Sequence, residues 1–142
     1  MSIVEDMELA EKLRLHILSF PDFPVKGGQF SLDMVLGGTG QSMSLQINPG
    51  QYITKYIDGS GTVRQPFTLY YGSSATDMNK NKSAMMGILN SIGKWMERQG
   101  SLDLGDDLRP IQIEQVTSAS VYEQDNVTLA YAAQYVLDYE TT

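Results

Sequence analysis

The chain has 142 residues, enough for one domain with an ordinary core, and its 42% hydrophobic content is that of a globular protein. Seventeen acids against ten bases leave a net charge of −7, which repels phosphate backbones and argues against a general DNA- or RNA-binding role. No apolar run approaches the roughly 20 residues a membrane-spanning helix needs, and the acidic start lacks the basic and apolar regions of a signal peptide.

Residues 4–18 read as an amphipathic helix. Val4, Met7, Leu13 and Ile17, with Ala10 and Leu18 beside them, recur at helical spacing between Glu5, Glu8, Glu11, Lys12 and Arg14. Ser2 with Glu5 fits a capping box, and Phe20-Pro21 ends the helix. Residues 20–29 form a loop rich in Pro and Gly.

Alternating runs then predict strands at Phe30, Leu32, Met34 and Leu36 and again at Met43, Leu45 and Ile47. Gly37-Gly38-Thr39-Gly40 between them reads as a hairpin loop. A third run, Tyr52 to Ile57, is joined by Asp58-Gly59-Ser60-Gly61 to a fourth, Val63 to Tyr71, so the segment predicts an antiparallel meander. Pro66 inside the fourth run calls for an edge position or a bulge, because proline has no N–H to donate.

The second helix is expected at about 75–99. Met78, Met85, Ile88, Leu89, Ile92, Trp95 and Met96 form its apolar stripe, Ser74 and Asp77 its capping box and Gly100 its stop. Gly87 and Gly93 inside it imply close approach to a neighbouring backbone, since each costs about 1 kcal/mol relative to Ala. Residues 100–110 read as an acidic loop, and Ile111, Ile113 and Val116 as the start of a strand. Glu123 to Asn126 mark a turn. In the last run Val127, Leu129, Tyr131, Ala133, Tyr135, Leu137 and Tyr139 share one face at period two. The expected fold class is α+β, one domain over residues 1–142, with two helices packed on one face of a mainly antiparallel β-sheet.

Little in the sequence points to chemistry. The absence of cysteine removes disulfides, thiolate ligands and thiol nucleophiles. His16 is the sole histidine, too few for a histidine metal site or a Ser-His-Asp triad, and reads as a surface or boundary residue. Asp103, Asp106, Asp107 and Glu97 offer oxygens for Ca²⁺ but not the EF-hand spacing, so a solvated acidic loop is the better reading. Gly37 to Ser42 resembles a phosphate-cradling loop but lacks its lysine and following helix. Asn126-Val127-Thr128 fits a glycosylation triplet without secretory context. The Tyr131, Tyr135 and Tyr139 row reads as a buried strand face rather than a stacking site. The expectation is a protein that is not an enzyme and uses no cofactor. Recognition falls to the loops, which a rigid scaffold presents without loss of packing. The partner-binding candidates are Gly37, Gly38, Thr39, Gly40 and Gln41; Asp58, Gly59, Ser60 and Gly61; and Asp103, Asp106 and Asp107.

Four features in order resemble a family of small virion proteins of long-tailed bacteriophages, often filed as minor capsid proteins and structurally tail terminators. They are the N-terminal helix ending in an FP loop; Val63-Arg64-Gln65-Pro66-Phe67-Thr68-Leu69-Tyr70-Tyr71; Asn90-Ser91-Ile92-Gly93-Lys94-Trp95-Met96-Glu97; and Tyr135-Val136-Leu137-Asp138-Tyr139. The resemblance implies a virion protein of the tail or neck, assembled in the host cytoplasm without a membrane. It implies a homo-oligomeric ring, a hexamer, that caps the tail tube protein and meets the head-completion or connector proteins at the head–tail junction. DNA would pass through the ring without specific binding, past a lumen kept repulsive by acids. The competing readings are an adaptor or stopper protein at the same junction, and a small-ligand-binding or enzyme domain built from Tyr, Asp and Arg.

Overall fold

The computed structural model describes residues 6–21, 30–32, 42–74, 82–98, 104, 108–124 and 128–141. Among these residues two helices, α1 (Asp6–Leu18) and α2 (Lys82–Arg98), lie on a sheet of seven strands: β1 (Phe30–Ser31), β2 (Ser42–Ile47), β3 (Gln51–Lys55), β4 (Gly61–Ser74), β5 (Leu108–Gln115), β6 (Ser120–Gln124) and β7 (Thr128–Thr141). The fold is α+β, and every strand pair is antiparallel except β1 with β2.

Two long central strands carry the sheet. β4 and β7 pair along their whole length, from Gly61 opposite Thr141 to Ser74 opposite Thr128. Each gives its outer edge to two short strands set end to end. β2 takes residues 67–72 of β4 and β3 takes residues 61–64; β5 takes residues 135–141 of β7 and β6 takes residues 129–132. The register brings Val63, Phe67, Leu69 and Tyr71 onto one face beside Tyr139, Tyr135, Ala133 and Tyr131, and all of these are buried. This is the period-two face expected of the last run, with Leu137 also buried. Ala130, on the opposite parity, is buried as well.

Both helices cover that face. Leu9, Leu13 and Ile17 of α1 and Leu89, Ile92 and Met96 of α2 join one core with Met43, Leu45, Phe67 and Tyr135. Leu9, which falls outside the expected α1 stripe, is fully buried. The Phe67 and Tyr135 rings stack at 5.3 Å, and the Tyr135 hydroxyl donates 2.7 Å to the Leu89 carbonyl, tying α2 to the sheet centre. Burial raises the Tyr135 phenol and pushes the Tyr71 phenol up to about 12.

Several expectations need correction. Phe30 and Ser31 are not in the antiparallel arm of a hairpin with 42–47, because β1 runs parallel to β2 (Phe30 opposite Met43) and a tight turn joins only antiparallel strands; residues 33–41 lie outside the described residues. Nor do β2 and β3 form consecutive rungs of a meander; both lie along β4. Ser74 ends β4 rather than capping α2, and Leu108–Pro110, expected in a loop, begin β5. Residues 123–124, expected in a turn, belong to β6, a strand not expected at all. The expected helix starts at residues 1–5 and 75–81 lie outside the described residues.

Pro66 sits in a central strand, at neither an edge nor a bulge. It occupies the gap where β2 has ended and β3 has not begun, and its carbonyl, on that side, accepts from Asn48 N at 3.0 Å. A missing N–H there breaks no ladder bond. The neighbouring Gln65 is fully buried on the core face and its amide donates to the Asn48 carbonyl across the same gap. The two glycines of α2 also differ. A Cβ on Gly93 would lie 2.0 Å from Gln115 Oε1, a side chain rather than a backbone, whereas Gly87 has nothing within 4 Å.

Candidate functional site

The turn between β3 and β4 is the one predicted recognition loop among the described residues. Lys55 opposite Gly61 closes the hairpin, and Tyr56 N donates to Ser60 O at 2.8 Å. Gly59 turns with φ of 90°, a left-handed conformation that costs glycine nothing. The Asp58 carboxylate braces the bend: Ser60 N and Ser60 Oγ donate to its Oδ1 at 3.0 and 2.6 Å. These hydrogen bonds hold its pKa below the ordinary carboxylate value. Gly61 lies inside the fold. It is buried, donates its N–H to Thr141 Oγ1 at 2.9 Å, and a Cβ would meet the Thr54 carbonyl at 2.3 Å.

This rigid turn carries apolar side chains into solvent. Ile53 and Tyr56 are half exposed and Ile57 is fully exposed. The sequence pattern had placed Ile57 in the third strand, but β3 ends at Lys55 and Ile57 heads the turn. Ile53 falls where the β3 register slips between Tyr52 and Thr54, and the slip leaves it without a facing residue on β4.

The other candidates, Gly37, Gly38, Thr39, Gly40 and Gln41 and the three acids Asp103, Asp106 and Asp107, lie outside the described residues. Leu104, between those acids, is buried, and its carbonyl accepts from Lys12 Nζ at 2.7 Å. Among the described residues no group of three or more His, Cys, Asp and Glu could hold a metal ion, and no helix is long and apolar enough to cross a membrane.

A second surface feature comes from α2, where the expected apolar stripe hides it. Trp95 is only partly buried. Its ring stacks on His16 of α1 at 5.0 Å and meets Phe20 edge-on at 5.5 Å, so three aromatic side chains lock the two helices together. His16 is half-buried there with Nε2 lacking a hydrogen-bond partner, and burial lowers its pKa from the ordinary 6.5. Beside Trp95 opens a cleft of about 330 Å³ lined by Ser91, Lys94, Trp95 and Arg98. Ser91, Lys94, Trp95 and Arg98 fall at i, i+3, i+4 and i+7 on one face of α2, a spacing legible in the sequence.

On the adjoining face of α2, across Lys94, a polar clasp fixes the link between β5 and β6. Asn90 Oδ1 accepts from Gln115 Nε2 at 2.7 Å and from Ala119 N at 3.0 Å, and Glu97 Oε1 accepts from Gln115 N at 3.0 Å. The helix-free sheet face bears an ion-paired row. Arg64 donates to both oxygens of the nearly buried Asp138 at 3.1 and 3.3 Å, and Gln112 adds a third bond at 3.2 Å. These groups satisfy one another and read as bracing of the sheet. No family model matches the chain, and no curated protein matches it.

Proposed function

We propose that the chain is a structural protein of a bacteriophage virion, a self-assembling ring at the head–tail junction that caps the tail tube and meets the connector. The observation that carries this reading is the β3–β4 hairpin. Its turn is braced by Asp58 and Ser60, yet it holds Ile53, Tyr56 and Ile57 in water. Exposed apolar side chains on a hydrogen-bonded hairpin suit a contact made for assembly, because the ordering cost of the turn is met before the partner arrives. The resemblance in the four sequence segments supplies the junction, the tube and the connector. In such a ring the net charge of −7 per subunit suits a channel that DNA traverses without being held.

Sedimentation velocity and negative-stain microscopy of the purified chain test the reading. A closed ring is the expected particle, and addition of the tail tube protein should give tubes capped at one end. A chain that stays monomeric at tens of micromolar, alone and with tube protein, would overturn it.

A further inference from the structure

We infer that the hairpin tip of one copy, Ile57 with Asp58, seats in the cleft formed by Trp95, Lys94 and Arg98 of a second copy. The inference rests on the assembly reading above and names the contact that would build the ring.

The two surfaces match in chemistry. The tip is a fully exposed isoleucine followed by a carboxylate. Both Ser60 bonds go to Asp58 Oδ1, so Oδ2 remains available to a cation. The cleft has an aromatic floor flanked by a lysine and an arginine. Both cations are exposed, and neither has an ion-pair partner among the described residues. Glu97, beside them on α2, accepts from Gln115 N, and the two cations flanking Trp95 complement an acidic occupant, which a second copy of the same chain of net charge −7 supplies. With His16 stacked on it and Phe20 edge-on, Trp95 is held in place, and a fixed ring is the kind of surface on which an apolar anchor gains most.

The fold also separates the two surfaces. The tip lies beyond the ends of β3 and β4, whereas the cleft lies on α2. Within one chain Ile57 is fully exposed and so does not occupy the cleft. A contact between two different surfaces is head-to-tail, and such a contact repeats from copy to copy until it closes.

Two kinds of variant, each altering exposed residues only, test it. Ile57→Ser spoils the tip while keeping the Asp58 brace and the cleft; Lys94→Gln with Arg98→Gln spoils the cleft and leaves the tip intact. Circular dichroism and melting should match the wild type. In sedimentation velocity each variant alone should associate at least about tenfold more weakly than the wild type, the weight of a lost interface anchor. An equimolar mixture should form a dimer and nothing larger, because one intact tip then meets one intact cleft. Raising the salt concentration should weaken that dimer. If the wild type forms rings and both variants do so equally well, this contact is wrong and the assembly reading stands. If the wild type forms only a symmetric dimer, or remains monomeric, the inference falls together with the ring.

Discussion

Alanine at Gly87 and at Gly93 should move stability in opposite directions, although both lie in the middle of the same helix. Glycine costs a helix about 1 kcal/mol relative to alanine, so either substitution begins with a gain of that size. At Gly87 nothing lies within 4 Å of the new methyl group, and the gain survives. At Gly93 the methyl would lie 2.0 Å from Gln115 Oε1, 2.8 Å from its Cδ and 3.1 Å from its Cβ. The whole Gln115 side chain must therefore move, and its bonds to Asn90 at 2.7 Å and to the Thr117 carbonyl at 2.9 Å go with it. Two hydrogen bonds at about 1 kcal/mol each, with overpacking of about 1–3 kcal/mol, outweigh the helical gain. Gly93→Ala should lose about 2–4 kcal/mol and Gly87→Ala should gain up to about 1 kcal/mol. Urea unfolding reads both, and thermal melts should separate the variants by about 4 °C per kcal/mol for a chain of this length. The control is a double-mutant cycle: in a Gln115→Ala background the cost of Gly93→Ala should shrink by more than half. Equal gains at the two glycines, or a Gly93 cost indifferent to Gln115, would refute the reasoning.

Tyr135→Phe removes the 2.7 Å bond from a fully buried hydroxyl to the Leu89 carbonyl and should cost about 1 kcal/mol in urea unfolding, with the fold intact by circular dichroism. His16, held below its ordinary 6.5 by burial, binds fewer protons folded than unfolded. Its contribution is fully present above that value and is lost as pH falls through the folded pKa, so wild-type stability should drop on acidification more steeply than that of His16→Phe. Fluorescence anisotropy with duplex DNA at low ionic strength should show no binding by the isolated chain; micromolar, salt-sensitive affinity would contradict the repulsive channel expected from the charge of −7.

Local patterns carried much of this fold. The period-two apolar face of residues 127–139 and the helical stripe from Leu89 to Met96 record which side of each element meets the core, and burial in the structure follows them. The Asp58-Gly59-Ser60-Gly61 turn was legible for the same reason: its residues are the ones whose side chains or φ angles make a tight bend. Strand partners and directions are a different matter, because alternation says that a segment is a strand and nothing about its neighbour. The sequence around Phe30 and Met43 therefore suggests a hairpin where the strands are parallel, and it gives no alternation that marks β6. Pro66 looked like an edge signal because only the assembled sheet shows that β2 and β3 leave a gap at its nitrogen. The surfaces proposed for assembly were decided at the same level. Ile57 looks like one more strand residue until the hairpin closes at Lys55, and Trp95 looks like core until α1 sets His16 against one face of its ring and leaves a cleft beside it. Exposure is a property of packing between distant segments, and no local window of sequence contains it.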